Sequence, residues 1–269
     1  MAVDAKQPAT ARPAATVIVL RSCDDGLETF MVRRDPNARF AADAYVFPGG
    51  TVEPEDHVSD DLARRLGLSA DEAHRRLSHR GGDAPEERSL SLALHVAAAR
   101  ELFEEAGVLL VGRERATKPA AADPVALARL EQDRRDMQDR RASFAHRMLV
   151  ERETPIAVAD LIYFSHWITP IALPRRYDTR FFICELPPGQ EASHCGVETV
   201  DGAWITPRRA IERYDAGEIS LVSVTLEHLK RLAPFPTPAA ALEYARAKSI
   251  RTVNPHRQAG VWENGDDDW

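Results

Sequence analysis

A chain of 269 residues, 44% hydrophobic and 29% charged, can bury a sizeable core and has the composition of an ordinary globular protein. Its formal net charge of −7 lacks the basic footprint of a general nucleic-acid binder, and no apolar run approaches the roughly 18 residues a membrane span needs. Cys23, Cys184 and Cys195 are odd in number and widely spaced, so neither a disulfide framework nor a zinc site is expected, and a cytoplasmic location follows by default.

Residues 1–13 carry no apolar signal-peptide core and read as a disordered lead-in to a single domain over 14–250. Residues 16–20 and 29–32 are β-branched or apolar runs parted by Cys23-Asp24-Asp25-Gly26, which predicts a hairpin. A third strand at 45–47 leads into a glycine pair. Helices are predicted at 60–66 and 70–77, and Arg80-Gly81-Gly82-Asp83-Ala84-Pro85 breaks the pattern before a further helix that includes 97–106. A short strand is expected at 108–111 and one or two amphipathic helices over 124–152. Strand signals return at 162–169, 180–186 and 200–205. Pro207 can open a helix, and 225–232 and 239–248 read as the last two. Residues 251–269 are assigned to a C-terminal tail, acidic and loose at 264–269.

The chemistry concentrates in Ala-Ala-Ala-Arg-Glu-Leu-Phe-Glu-Glu-Ala-Gly-Val, residues 97–108. On a helix Glu101, Glu104 and Glu105 fall within an arc of roughly 100°. Like charges so spaced destabilise an isolated helix, and Arg100 alone does not balance them, so a bound divalent cation is one answer. A solvated charged stripe is the other. Leu94, Ala98 and Leu102 give the apolar side, and Gly107 is placed to end the helix in the left-handed conformation. Upstream, Phe47-Pro48-Gly49-Gly50 reads as a strand running into a turn where backbone can approach a ligand closely.

Together these segments resemble the Nudix box, G-x5-E-x7-R-E-U-x-E-E-x-G-U with U aliphatic. Arg100, Glu101, Leu102, Glu104, Glu105, Gly107 and Val108 match its second half at every fixed position. The first half departs twice: Asp56 stands where glutamate is usual, and 43 residues, 57–99, separate it from Arg100 where the pattern allows seven. Such an interrupted box resembles the branch of Nudix hydrolases that includes peroxisomal coenzyme A diphosphatases. The likeness continues through residues 166–190 and the later Trp-Ile-Thr-Pro at 204–207. It implies an α/β fold, a Nudix-type α/β/α sandwich with a mixed β-sheet and a helical insertion at 57–99 inside the box.

Hydrolysing a diphosphate linkage requires that a repelled nucleophile reach an anionic centre. Hard cations held by carboxylates neutralise the substrate and lower the pKa of bound water. The resemblance implies Mg²⁺ or Mn²⁺ on Glu101, Glu104 and Glu105, with Arg100 orienting a glutamate. The base is open between Glu101, Glu105 and a later acid. Glu198, six residues before Trp204, is that later acid or an ordinary surface glutamate. Asp56 supports the glycine loop or caps a helix; direct ligation is not favoured. Gly49, Gly50, Arg34 and Arg176 are assigned to substrate, although arginines so placed are more often solvated rim residues. His166 and Trp167 are expected to pack, and Cys195 lacks the surroundings of a nucleophile.

The resemblance points to coenzyme A or acyl-coenzyme A as substrate, giving 4′-phosphopantetheine and adenosine 3′,5′-bisphosphate. ADP-ribose, dinucleotides, damaged nucleotides or a non-catalytic nucleotide sensor are the alternatives. A small nucleotide is the only partner expected, with no nucleic acid and no membrane; monomer and homodimer are both open. The insertion could serve specificity or packing.

Overall fold

The computed structural model describes residues 9–38, 41–111, 124–254, 256–258 and 261–263. The first apolar run forms β1 (Ala11–Cys23), which turns into β2 (Gly26–Arg34) as an antiparallel hairpin. Two short strands follow, β3 (Ala44–Val46) and β4 (Gly49–Thr51). Then come α1 (Asp60–Leu66), α2 (Ala70–Ser78) and the long α3 (Arg88–Ala106). Next are α4 (Pro124–Gln138) and the single turn α5 (Phe144–His146), continued by a π-helical turn, Arg147–Glu151. The strands β5 (Ile162–Ile168), β6 (Arg176–Glu185) and β7 (Thr199–Ile205) precede α6 (Pro207–Asp215). The chain continues with β8 (Ser220–Leu221), α7 (Ser223–Leu232), α8 (Pro238–Ala247) and β9 (Thr252–Val253), then a ribbon of β10 (His256–Gln258) and β11 (Val261–Glu263).

The main sheet runs β8-β3-β2-β1-β6-β5-β9, with β4 beside the first half of β1 and β7 beside β2. It is mixed: β1 is parallel to β6 from Ala11↔Arg176 to Leu20↔Glu185 and antiparallel to β2 and β4. Val17, Ile18, Val19 and Leu20 are all buried, because both faces of the sheet are covered and neither side of the pleat meets water. The period of two sorts them. Ala15, Val17 and Val19 enter a core with α1 to α5, whereas Ile18 and Leu20 enter a second core with α6 to α8. The α/β/α sandwich with a mixed sheet follows from that division.

The sheet takes residues from both ends assigned to lead-in and tail. β1 already includes Ala11–Pro13, and β9 pairs with β5 through His166↔Thr252 and Trp167↔Val253; residues 1–8 and 264–269 lie outside the described residues. The strand expected at 108–111 is reduced to one bridge, Val111↔Ile156. Val108, Leu109 and Leu110 are buried apolar side chains, and among the described residues no strand runs beside them, which is why a β-like pattern gives no ladder.

Helix α3 is buried nearly all round, Ser91 to Arg100 included, because the sheet lies under it and α2 and α4 lie beside it. The segment 57–99 contributes α1, α2 and the opening half of α3, and its Ala63, Leu66, Ala73 and Leu77 belong to the same core as Leu94 and Phe103. Among the described residues no helix is long and apolar enough to cross a membrane.

Candidate functional site

The glycine turn and the end of α3 are brought together by β4. Gly49 and Gly50 pair with Thr16 and Ala15 of β1, and the Gly49 N–H donates to Glu105 Oε2 at 3.0 Å. A Cβ on Gly49 would lie 2.6 Å from the Ala15 carbonyl oxygen and 2.7 Å from Thr16 Cα, both backbone atoms. A Cβ on Gly50 would instead meet the Glu101 carboxyl carbon at 2.6 Å. Closeness, not a left-handed backbone, is what demands glycine here. Gly49→Ala is therefore expected to cost about 1–3 kcal/mol of stability in urea denaturation. Gly50→Ala should leave stability within about 1 kcal/mol while lowering turnover about tenfold, because only the tip of Glu101 must move. Equal stability losses in the two variants would refute that division.

Arg100 organises the acids. Its side chain is 6% exposed, and all five N–H groups have work. Nε and Nη2 grip Asp56 in a two-pronged pair, both at 2.9 Å, and Nη2 also donates to the Thr51 carbonyl at 3.0 Å. Nη1 donates to Glu101 at 2.8 Å and Glu104 at 3.3 Å. Burial works against the guanidinium charge, but its hydrogen bonding to Asp56 and the charges of Glu101, Asp56 and Glu104 outweigh it and hold its pKa above the ordinary value. Asp56 also accepts from the Glu53 N–H at 2.9 Å, closing the short turn Pro54–Asp56. Asp56 thus closes its own turn and is the main partner of Arg100, which in turn reaches the Thr51 carbonyl beside the glycine pair. The helix that begins the insertion is capped by Ser59, not Asp56.

With Arg100 shared in this way, negative charge is in excess. Burial raises Glu101 to about 7, with Arg100 opposing and the charges of Glu104 and Glu198 adding. Burial also raises Glu104, against the pull of Arg100. Glu105 is pushed well above the usual carboxylate value by burial, then by the Glu101 charge. Glu198 is exposed and lines the same cavity, on the loop before β7. Hard oxygen donors in this number, short of positive charge, suit a divalent cation. Among the described residues no three such groups are already drawn into a shell that could hold a metal: Glu101 and Glu104 lean on Arg100, and Glu105 leans on Gly49.

The loop carrying Glu198 is tied to the end of α3 by contacts between residues remote in sequence. Gln190 accepts from the Leu109 N–H at 2.9 Å and donates to its carbonyl at 2.6 Å, while the Ser193 N–H donates to the Ala106 carbonyl at 2.9 Å. Arg134 donates to the carbonyls of Glu104 at 2.9 Å and Ser193 at 2.7 Å, and Gln138 donates to Glu104 at 2.7 Å. Sequence spacing gives no signal for Arg134, Gln138 or Gln190 as positioning residues.

The cavity is about 670 Å³ and has two characters. Its lining includes charged residues, with Arg12, Arg34 and Arg140 beside the carboxylates. The same lining includes apolar Phe47, Trp167, Ile168, Leu173 and Phe181, with Thr169, Tyr177 and Thr179 among them. Arg34 lines it and its charge acts on Glu105. Arg176 does not reach it: Nε and Nη1 donate to the carbonyls of Thr169 and Ala9, both at 2.9 Å, so this arginine ties β6 to its neighbours. His166 is buried and bonded to Asp178 and Thr252. No residue of the 57–99 segment lines the cavity, which favours packing over substrate contact for the insertion.

A family model, the NUDT19 Nudix domain, matches residues 5–232. A Gallus gallus protein named acyl-coenzyme A diphosphatase NUDT19 is 33% identical over 246 residues, covering 80% of this chain and 63% of its own length. Its Homo sapiens namesake is 28% identical over 244 residues, with 78% and 62% covered. The chain thus spans somewhat over three fifths of the NUDT19 proteins it matches. A crystal structure of a NUDIX hydrolase from Alicyclobacillus acidocaldarius superposes with a TM-score of 0.61 at 25% identity, covering 90% of this chain and 99% of that one.

Proposed function

Since this chain belongs to the NUDT19 Nudix domain family, we propose that it hydrolyses the diphosphate linkage of coenzyme A or an acyl-coenzyme A, releasing 4′-phosphopantetheine and adenosine 3′,5′-bisphosphate. The observation that carries this is the gathering of Glu101, Glu104, Glu105 and Glu198 on one cavity where, among the described residues, the one buried counter-charge, Arg100, is already gripped by Asp56. The names of the NUDT19 relatives support the substrate, as do the apolar residues lining the same cavity, which suit an uncharged pantetheine or acyl arm.

Glu101, Glu104 and Glu105 would hold Mg²⁺ or Mn²⁺. When bound, such a cation neutralises the diphosphate and acidifies a coordinated water. The protein's own work is positional. Arg100 fixes the rotamers of Glu101 and Glu104, the Gly49 N–H fixes Glu105, and the absence of a Cβ at Gly50 leaves room beside Glu101. Gly49 and Gly50 let backbone approach the diphosphate, and Arg34 faces it. A carboxylate then accepts the proton from water: Glu101 or Glu105 from the helix, or Glu198 from the loop. The three free thiols suit a reducing compartment such as the cytoplasm.

Incubation with Mg²⁺ and a panel of coenzyme A, acetyl-coenzyme A, ADP-ribose, a dinucleotide and an oxidised nucleoside triphosphate, read by chromatography of the products, tests the proposal. Coenzyme A compounds should be cleaved with the highest kcat/KM. Preference for ADP-ribose or a dinucleotide would overturn the substrate, and no turnover of any compound would leave a nucleotide-binding module.

A further inference from the structure

Helix α4 ends in an unusual way. The Arg140 N–H donates to the Met137 carbonyl at 2.8 Å and the Arg141 N–H to the Asp136 carbonyl at 2.7 Å, the paired bonds of a Schellman turn. That turn needs a left-handed residue; glycine supplies it in the matching turn at the end of α1, Gly67 with φ 67°, and Gly107 with φ 68° ends α3 in the same hand. At the end of α4 the same place is held by Arg140, with φ 57°. A side chain kept where glycine would be free of strain calls for a use.

The surroundings indicate the use. Met137 is buried in the core, and Gln138 and Arg134 bond the Glu104 carbonyl, so the turn is fastened to the helix that carries the site carboxylates. Arg140 lines the cavity, is exposed, and has no ion pair or side-chain hydrogen bond among the described residues. Of the other cations there, Arg100 is held by Asp56 and Arg12 by Thr51 at 3.3 Å with Glu53 at 3.6 Å, while Arg34, whose Nε has no hydrogen bond among the described residues, acts by its charge on Glu105. We propose that Arg140 is a specificity-determining residue that binds a phosphate monoester carried by the substrate beyond its diphosphate, the 3′-phosphate of the nucleotide half. A monoester near neutral pH carries close to two negative charges, and a guanidinium meets two of its oxygens at once. This rests on the coenzyme A reading of the same cavity.

The test compares wild type, Arg140→Gly and Arg140→Lys. Binding of adenosine 3′,5′-bisphosphate and of 5′-AMP is measured by calorimetry, and KM for coenzyme A and dephospho-coenzyme A with Mg²⁺. Arg140→Gly should shrink the preference for the bisphosphate over 5′-AMP about tenfold, and the KM preference for coenzyme A likewise, with Arg140→Lys between. Its thermal midpoint should equal or exceed that of wild type, since glycine suits the turn. Equal weakening toward both ligands would place Arg140 on the shared phosphate and overturn the proposal, as would a wild type that binds the two alike. Arg140-dependent preference for the bisphosphate without turnover of coenzyme A would uphold the phosphate site and remove the hydrolase reading.

Discussion

Glu104→Gln and Glu105→Gln are each expected to lower turnover of the preferred substrate by at least about 10²-fold, because each removes a charge aimed at the reacting diphosphate. The folded, metal-free variants should be no less stable than wild type. Both carboxylates are raised by burial in a cluster with too little positive charge, so converting one to a neutral amide relieves repulsion. Turnover with Mg²⁺ and urea denaturation without it should therefore move independently. Near-normal turnover in either variant would remove that residue from the site. Lower stability would show that its role is to hold the fold.

The second large effect runs the opposite way. Arg100→Met should destabilise the protein by about 3–5 kcal/mol at neutral pH as well as abolish turnover, because it strands Asp56, which is 1% exposed, and leaves Glu101 and Glu104 without their donor. Adding Asp56→Leu should recover part of that stability and none of the activity, since an apolar pair of similar size replaces the buried ion pair while the site carboxylates stay unaligned. Denaturation midpoints of the two single variants and the double variant give the coupling directly. Additive losses would mean that the two-pronged contact contributes nothing.

The contrast between these variants reflects what the sequence made legible. The spacing of Glu101, Glu104 and Glu105 and the helix end at Gly107 are local facts, fixed by helical geometry, and the structure places all three carboxylates on one cavity as that spacing requires. The mixed sheet between two helical layers was legible from the apolar runs and the box. The partnership of Asp56 with Arg100 was not read, because 43 residues intervene and only the fold closes the gap. Arg134, Gln138 and Gln190 act through backbone carbonyls and amides, groups with no residue signature at the receiving end. Arg176 misled for a related reason: an arginine near a turn looks the same whether its fork meets phosphate or the carbonyls of Thr169 and Ala9. The strand expected at 108–111 failed because burial alone produces an apolar run. β9 was missed because two residues at a sheet edge carry no period.

The central claim, metal-assisted attack of water on a coenzyme A diphosphate at the α3 carboxylates, is tested most directly by hydrolysis of coenzyme A with Mg²⁺ in ¹⁸O-enriched water, read by mass spectrometry. The expected result is one labelled oxygen in either 4′-phosphopantetheine or adenosine 3′,5′-bisphosphate, with none in the other, and no products after chelation of the metal or in Glu105→Gln. Absence of cleavage with either Mg²⁺ or Mn²⁺, or equal cleavage by wild type and Glu105→Gln, would contradict it.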